Sequence, residues 1–375
     1  TVAIGAYNNG GNGLDAGHVR IYKNIRDTWT QVGADIDGEA ADDRSGCSVS
    51  LSSDGSTVAI GAYGNDGNGS SSGHVRIYKN ISGTWTQVGS DIDGAAQQDD
   101  GVSAGRSVSL SSDGTTVAFG QHYHSLLFRY SGSTVVYKNI SGTWTRVGLP
   151  MLGEAENDRS GESVSLSSDG STVAIGAKIN DGTVVGSHCG HVRIYKNISG
   201  TWTQVGSDID GEAANDYSGQ SVSLSSDGSI VAIGAADNDG NGSGSGHVRI
   251  YKNISGTWTQ QGLDIDGKIG AVNFGWSVSL SSDGSTVAIG AYNQQVNRDD
   301  GPVRIYKNIS GTWTQVGSDL HGGNTSWYGW SVSLNSDGST VAVGAPQGSI
   351  NGRYAGMVEV FSLNGTSSVL NTLND

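Results

Sequence analysis

Short runs of alternating polar and apolar residues return along this chain at a nearly constant interval. The run SVSL begins at residues 48, 107, 163, 221, 277 and 331, so successive copies lie 54 to 59 residues apart. In the copy that starts at residue 48, the runs SVSLS, TVAIGA, HVRIYKN and TWTQVGSDI follow one another, and their period of two predicts four β-strands. The dipeptide Asp54-Gly55 separates the first two runs and predicts a tight hairpin turn.

Each predicted sheet carries apolar residues on both faces, for example Val75 and Ile77 on one face and Tyr78 and Trp85 on the other. Radial stacking buries both faces of such sheets and leaves only short edges. We therefore predict an all-β fold, a seven-bladed β-propeller of four-stranded antiparallel blades, formed by residues 1–375 as a single domain. The predicted blades are residues 1–47, which lack the first strand, and then 48–106, 107–162, 163–220, 221–276, 277–330 and 331–375.

Composition and charge exclude several classes of protein. The chain has 60 glycines but only 3 prolines, which fits many short strands joined by tight turns. A net charge of −15 at pH 7 disfavours nucleic acid as a partner, because phosphate backbones are repelled by an acidic surface. No apolar run is long enough for a membrane span. Cys47 and Cys189 lie three repeats apart, so we expect no disulfide between them.

The repeat resembles the FG-GAP repeat, the blade of integrin alpha-subunit propellers. The segments FGWSV (274–278) and YGWSV (328–332) are similar to the Phe-Gly start of the family's inner strand, and VGAP (343–346) is similar to the end of its second strand. The resemblance implies an extracellular or cell-surface protein. Calcium-binding members carry several aspartates between these two strands, whereas the hairpin SSDGST has one carboxylate, too few for the six to eight oxygens that calcium takes. We expect that inherited calcium site to be absent.

Acidic loops elsewhere in the repeat offer another calcium site. The segments DIDGEAADD (35–43) and DIDGEAAND (208–216) place carboxylates two residues apart, next to further oxygen donors. Bound Ca²⁺ is one interpretation of these loops and plain solvation is the other. The candidate metal ligands are Asp35, Asp37, Asp208 and Asp210.

Two further features recur in most copies. A tryptophan in the fourth run, such as Trp85, is either a wedge between blades or a platform on which a sugar stacks. The segment KNISG contains an Asn-x-Ser acceptor at a predicted hairpin, which would carry a glycan if a eukaryotic cell secretes the protein. The candidate glycosylation sites are Asn80, Asn139, Asn197, Asn253 and Asn308.

The copies differ most in two loops, and these are candidate ligand-binding segments because exposed aromatic residues on a rigid scaffold are typical of binding sites. Drift in a redundant repeat is the alternative interpretation. In the third blade the candidates are His122, Tyr123, His124, Phe128, Arg129 and Tyr130. Before the seventh blade they are Trp327, Tyr328 and Trp330.

The inner strands repeat SVSLS almost unchanged, so no set of unlike catalytic side chains is apparent there. We therefore predict that the protein is not an enzyme but a non-catalytic extracellular recognition or adhesion propeller. It would bind a protein or glycan through its long-loop face, which carries the loops between the second and third strands and between successive blades. One alternative is a structural building block that self-associates in a filament, sheath or matrix. Another is an enzyme that acts on polysaccharides.

Overall fold

The fold is all-β, as the alternating pattern predicts. A computed structural model describes residues 1–96, 101–182, 188–268, 273–291, 301–322, 327–348, 356–363 and 369–374. These residues form seven small antiparallel sheets, the blades of a seven-bladed β-propeller, and the prediction of this fold class is confirmed. None of the described residues belongs to a helix with the length and apolarity that a membrane span requires.

The first three blades follow one another from the N-terminus. Blade 1 contains β1 (Val2–Ala6), β2 (His18–Ile25), β3 (Thr28–Gln31) and β4 (Ile36–Asp37). Blade 2 contains β5 (Ser48–Leu51), β6 (Thr57–Ala62), β7 (His74–Ile81), β8 (Thr84–Gln87) and β9 (Ile92–Asp93). Blade 3 contains β10 (Ala104–Leu110), β11 (Thr116–Gln121), β12 (Ser133–Ile140), β13 (Thr143–Arg146) and β14 (Met151–Leu152).

Blades 4 and 5 have the same five strands as blades 2 and 3, and the described residues of blades 6 and 7 form four strands each. Blade 4 contains β15 (Ser163–Leu166), β16 (Thr172–Ala177), β17 (His191–Ile198), β18 (Thr201–Gln204) and β19 (Ile209–Asp210). Blade 5 contains β20 (Ser218–Leu224), β21 (Ile230–Ala235), β22 (His247–Ile254), β23 (Thr257–Gln260) and β24 (Ile265–Asp266). Blade 6 contains β25 (Phe274–Leu280), β26 (Thr286–Ala291), β27 (Val303–Ile309) and β28 (Thr312–Gln315). Blade 7 contains β29 (Ser331–Leu334), β30 (Thr340–Ala345), β31 (Met357–Ser362) and β32 (Val369–Asn374).

In blades 1 to 5 the fourth strand differs from the sequence-based expectation. In blade 2 the single predicted strand is two short ones, β8 and β9, and both pair with β7. The register places Gln87 opposite Tyr78 and Asp93 opposite His74, so the residues between β8 and β9 leave the ladder. Gly89 allows this break because its φ of 75° lies in the left-handed region that favours glycine.

The chain divides into two compact units. Unit 1 comprises Thr1–Ala177 and Tyr195–Thr203, and unit 2 comprises Lys178–Ile194 and Gln204–Asp375. In each unit the core lies between neighbouring sheets. In unit 1 one buried cluster joins Val75 and Ile77 of blade 2 to Phe119 of blade 3. In unit 2 another joins Ile250 of blade 5 to Ile289 of blade 6.

The repeated serines and tryptophans connect adjacent blades. The Ser48 hydroxyl donates to the Gly105 carbonyl at 2.7 Å, and the Ser50 hydroxyl accepts the Leu110 amide at 2.9 Å. The indole N–H of Trp85 donates to the Val32 carbonyl of the preceding blade at 2.7 Å. The same indole bond recurs at Trp144, Trp202, Trp258 and Trp313. These residue types recur because each joins one blade to the next.

Candidate functional site

One position of the repeat is occupied by different residue types in different copies. The residue immediately before each SVSL run, here termed the pre-strand position, differs in almost every copy. Because β5 and β6 are antiparallel, with Ser48 opposite Gly61, this position lies at the same end of the blade as the residue that follows the second strand. The residues at the pre-strand position are Cys47, Arg106, Glu162, Gln220, Trp276 and Trp330.

In unit 1 the pre-strand residues of blades 3 and 4 form an ion pair. The Arg106 Nε lies 3.4 Å from Glu162 Oε1. The Glu162 side chain is 6% exposed and the Arg106 side chain is 43% exposed, so the acid is covered and the base reaches solvent. Burial lowers the pKa of Arg106, but interactions with Glu162, Cys47 and Tyr63 together outweigh burial and raise that pKa overall. The Arg106 guanidinium is therefore charged at neutral pH.

A tyrosine lies beside this ion pair and next to a second arginine. The Tyr63 ring centroid is 5.5 Å from the guanidinium carbon of Arg106 and 5.5 Å from that of Arg44. The Arg44 Nη1 donates to the Tyr63 hydroxyl at 2.7 Å. Burial raises the pKa of nearby Tyr7, with the two arginines opposing the shift. Two guanidinium groups, a phenol and a covered carboxylate therefore lie together in unit 1.

Cys47 is the third pre-strand residue of unit 1, and its thiol is not poised as a nucleophile. Burial raises the pKa of the Cys47 thiol, so the thiol is protonated at neutral pH. Its Sγ donates to the carbonyl oxygens of Gly61 and Gly105, both at 3.3 Å. Cys47 and Cys189 are both free.

Unit 2 carries a different set at the same position of the repeat. The Lys178 Nζ donates to Gln220 Oε1 at 2.9 Å. The Trp276 and Trp330 ring centroids lie 5.0 Å apart, and Trp327 stacks on Trp330 at 5.3 Å with the planes 18° apart. This set is aromatic and amide-rich, whereas the unit 1 set is ionic.

Only some of the candidate ligand-binding residues of the blade 3 loop are exposed at the surface. His122 and His124 are buried, at 3% and 7% exposure, while Phe128 is 47% exposed. The His124 Nδ1 is 2.9 Å from the Ser133 hydroxyl, and burial lowers the His124 pKa.

The tyrosines and Arg129 of the same loop form a layered cluster. Tyr123 and Tyr130 are in edge-to-face contact at 5.4 Å. Arg129 lies 4.7 Å from the Tyr130 ring centroid, and Arg159 lies 5.0 Å from that of Tyr123. A ligand-binding role for this loop stays a prediction.

The three candidate ligand-binding residues before blade 7 also differ in burial. Tyr328 is fully buried, and its hydroxyl lies 3.1 Å from Glu359 Oε2, where burial raises the carboxyl pKa. Trp327 and Trp330 are half-buried and contact each other. Tyr328 is therefore part of the core, and a ligand-binding role for the two tryptophans stays a prediction.

The predicted metal ligands contact arginines. Asp35 Oδ2 lies 2.9 Å from Arg20 Nη2, and Asp208 Oδ2 lies 3.0 Å from Arg193 Nη2. The bond from Arg20 outweighs partial burial and holds the pKa of Asp35 low. Ligand atoms of His18, Asp35 and Asp37 lie within 4.8 Å of one another.

In unit 2, the backbone carbonyl of Asp210 accepts from Arg249 at 2.8 Å. An arginine thus contacts each of the two acidic loops. Calcium binding at Asp35, Asp37, Asp208 and Asp210 stays a prediction.

Each predicted glycosylation site is the next-to-last residue of a third strand, just before the turn. Each asparagine side chain accepts a turn amide, as in the 2.9 Å bond from the Gly83 N–H to Asn80 Oδ1. The Nδ2 atoms of Asn80, Asn139 and Asn197, to which a glycan would be attached, are buried. Attachment at these positions therefore requires the hairpin to be open.

Comparison with known proteins supports the fold and the repeat. A family model described as the FG-GAP repeat matches residues 34–78. A protein from Bacteroides uniformis assigned as a 6-phosphogluconolactonase is 12% identical, with a TM-score of 0.63 over 99% of this chain and 94% of that one. The periplasmic gluconolactonase of Pseudomonas aeruginosa is 14% identical, with a TM-score of 0.64 over 99% of this chain and 95% of that one. No curated protein sequence matches the chain.

These structural neighbours overturn two of our predictions, that the protein is a non-catalytic recognition or adhesion propeller and that it is not an enzyme. Both neighbours are named as lactonases and share this fold over nearly their whole length. The error arose because we looked for unlike side chains within the SVSLS run only. The SVSLS run is constant because its serines join blades, whereas unlike side chains occur one residue earlier, at the pre-strand position. Our prediction considered only the constant run and not the residue before it, where the residue type changes.

Proposed function

We propose that this chain, an FG-GAP repeat β-propeller, is a hydrolase that opens small cyclic esters in the manner of a lactonase. The observation that carries the proposal is the contact of the pre-strand residue Arg106 with both Glu162 and Tyr63 in unit 1. The named activities of two full-length structural neighbours agree with it.

Each of these side chains has a role in ester hydrolysis. Glu162, covered and paired with Arg106, accepts a proton from the attacking water. Arg106 stabilises the negative charge that develops on the carbonyl oxygen. The acyl carbon–oxygen bond of the ring then breaks, and the ring oxygen takes a proton from the Tyr63 hydroxyl, which Arg44 holds at 2.7 Å. Proton return from Glu162 to Tyr63 through water restores the starting state, and the product is a hydroxy acid.

Initial rates of lactone hydrolysis test the proposal. We expect the protein to accelerate the opening of glucono-δ-lactone, measured by acid release and corrected for spontaneous hydrolysis. Glu162→Gln should lower kcat about a hundredfold or more, because it removes the proton acceptor but keeps the shape. Arg106→Gln should lower kcat by a similar factor, because a donor to the developing oxyanion is lost.

Two matched variants control for the change of charge. Glu156→Gln and Arg146→Gln make the same substitutions at exposed positions of unit 1. Both should leave kcat unchanged. Absence of turnover above the buffer rate on a panel of lactones, or full activity of Glu162→Gln, would contradict the proposal.

The proposal extends to an extracellular location with glycans on the hairpin asparagines. Support comes from the recurrence of the Asn-x-Ser acceptor at the end of the third strand, as at Asn80 and Asn253. Because several acceptor nitrogens are buried after folding, glycans must be added while the hairpin is open. The intact mass of protein secreted from a eukaryotic host, before and after endoglycosidase treatment, measures the occupancy.

A further inference from the structure

The histidine that begins the third strand occurs together with a glutamate in the loop that precedes the same blade. Both residues are present for blades 2, 4 and 5, and both are replaced for blades 3 and 6. The pairs are Glu39 with His74, Glu154 with His191 and Glu212 with His247, and the replacements are Ala95 with Ser133 and Lys268 with Pro302. Residues that vary together are typically in contact, so the pattern indicates a shared role for the two side chains.

In blade 2 the imidazole of His74 faces two carboxylates. The His74 Nδ1 lies 3.7 Å from Asp91 Oδ2 and 3.9 Å from Glu39 Oε2, and both distances are longer than a hydrogen bond. The second oxygen of each carboxylate is held by another side chain. Arg76 Nη1 lies 3.4 Å from Glu39 Oε1, and the Gln87 amide donates to Asp91 Oδ1 at 2.5 Å. One nitrogen and two oxygens therefore converge, and outer partners orient both carboxylates.

Blade 5, in unit 2, has the same arrangement. The His247 Nδ1 lies 3.8 Å from Asp264 Oδ2, and ligand atoms of Glu212, His247 and Asp264 lie within 4.8 Å of one another. Arg249 Nη1 lies 3.3 Å from Glu212 Oε1, and the Gln260 amide donates to Asp264 Oδ1 at 2.6 Å. The geometry is therefore a property of the repeat and not of a single blade.

In blades 1 and 4 an arginine contacts the aspartate oxygen that faces the histidine. Arg20 Nη2 lies 2.9 Å from Asp35 Oδ2 in blade 1. Arg193 Nη2 lies 3.0 Å from Asp208 Oδ2 in blade 4. A guanidinium group therefore supplies a positive charge at this place in both blades.

In blade 6 a lysine supplies the positive charge. Lys268, which replaces the glutamate, places its Nζ 3.0 Å from Asp319 Oδ2. In the part of the chain that the structure describes, no arginine or lysine makes an ion pair with Asp91 or Asp264, whose contacts are with a histidine and a glutamine. Blades 2 and 5 therefore direct two carboxylates at a place where the protein supplies a cationic side chain in blades 1, 4 and 6.

The imidazoles of His74 and His247 do not supply that charge. Burial, with the adjacent arginine, lowers the pKa of each to about 4, so both rings are neutral at pH 7. The Nε2 atom of each ring is buried without a hydrogen-bond partner, so Nδ1 is the ring nitrogen that can bind a ligand. A neutral imidazole nitrogen beside two carboxylate oxygens is a ligand set typical of Zn²⁺, whereas Ca²⁺ takes oxygen ligands.

We propose that a Zn²⁺ ion binds at each of two equivalent sites, one in blade 2 and one in blade 5. The ligands are the side chains of Glu39, His74 and Asp91 and those of Glu212, His247 and Asp264. Tetrahedral Zn²⁺ with bonds of about 2.1 Å holds its ligand atoms about 3.4 Å apart, so the side chains need to close only slightly. Each ion joins the loop before the blade to the third strand. The inference goes beyond the proposed hydrolase function and does not depend on it.

Isothermal titration calorimetry of chelator-treated protein with ZnCl₂ tests the two sites. The wild type should bind Zn²⁺ at both, and excess Zn²⁺ should raise the melting temperature, because an ion bound by the folded state stabilises it. Glu39→Gln and Glu212→Gln each remove one ligand from a side chain that is 48% exposed, so both variants should fold. Each should weaken Zn²⁺ binding at its own site about tenfold or more, and the double variant should weaken binding at both sites.

Glu156→Gln is the matched control, because it makes the same change at an exposed glutamate outside both sites, and it should leave Zn²⁺ binding unchanged. His74→Gln combined with His247→Gln should abolish binding, and a thermal melt in the presence of chelator verifies that this variant folds. Absence of saturable Zn²⁺ binding by the wild type overturns the proposal. Zn²⁺ binding of full affinity in either double variant would take place at other residues and would also overturn it.

Discussion

At the scale of single residues, the first residue of the third strand shows how one position depends on its neighbours in space. His74 is buried, and its Nδ1 lies 3.7 Å from Asp91 Oδ2. In blade 3 the same positions hold Ser133 and Pro150, so the imidazole and the carboxylate are replaced together. His124, from the preceding loop, contacts Ser133 instead, with 2.9 Å between Nδ1 and the hydroxyl oxygen. The two residues are not always replaced together, because blade 6 has Pro302 at the histidine position but keeps Asp319, which pairs with Arg304.

These histidines predict a specific loss of stability in acid. Burial, aided by Arg76, lowers the pKa of His74 to about 4, and His247 is shifted to the same value by burial and Arg249. Since the unfolded pKa is 6.5, the stabilisation is complete above that pH and is lost as the pH falls towards 4. Each histidine should lower the free energy of unfolding by about 1.4 kcal/mol per pH unit across this window.

Urea unfolding at a series of pH values measures this slope. His74→Gln should give a shallower decline between the two pKa values than the wild type. His321→Gln, a change at a histidine with an exposed side chain, is the control and should leave the slope unchanged. Parallel curves for the wild type and His74→Gln would show that other groups control the acid response.

At the scale of elements, both glycines of the FG-GAP signature have a packing role. Gly61 is the next-to-last residue of the second strand of blade 2, and Gly105 is the second residue of the inner strand of blade 3. A Cβ built on Gly61 would overlap the Gly105 carbonyl oxygen, so the two backbones are in direct contact. Gly105 has a φ of 85°, in the region that only glycine adopts without strain. The two halves of the signature therefore meet between adjacent blades.

Gly61→Ala should destabilise the protein strongly. The added methyl group meets backbone atoms of the next blade, which cannot rotate away, and the free energy of unfolding should fall by about 3 kcal/mol or more. Gly83→Ala is the comparison, because Gly83 has open space around it and only its φ of 91° opposes a side chain. That change should cost about 1 kcal/mol. Urea unfolding of both variants measures the two losses in free energy of unfolding. Equal losses would show that contact between blades is not the cause of the destabilisation by Gly61→Ala.

At the scale of the whole molecule, acidic residues outnumber basic ones by 36 to 21. Internal ion pairs neutralise some of them, as where Arg304 Nε lies 3.1 Å from Asp319 Oδ2. The remaining net charge of −15 produces repulsion that the compact state must overcome.

Salt should therefore stabilise this protein. Added NaCl screens the repulsion, and the melting temperature at neutral pH should rise as the ionic strength is increased from low values. CaCl₂ and MgCl₂ at matched ionic strength are the comparison. A larger rise with CaCl₂ than with MgCl₂ would support calcium at the acidic loops, because a ligand bound only by the folded state stabilises it. A falling melting temperature in NaCl would show that ion pairs dominate over repulsion.

The sequence by itself determined the strands, their hairpins and the number of blades. These follow from short-range features, such as alternation within SVSLS and the Asp-Gly turn, and the same features recur in every copy. It also allowed the tryptophan of the fourth strand to be interpreted as a residue that packs between blades. The hydrogen bond from the Trp85 indole to the preceding blade supports this interpretation.

Only the tertiary structure decided which side chains meet. Arg106 and Glu162 are separated by a whole repeat in sequence, and Trp276 and Trp330 likewise, yet each pair is in contact. Alternation and spacing describe neighbours within one blade, whereas these contacts join different blades. The break between β8 and β9 was also decided in three dimensions, because a continuous alternating pattern does not show where a strand leaves its ladder.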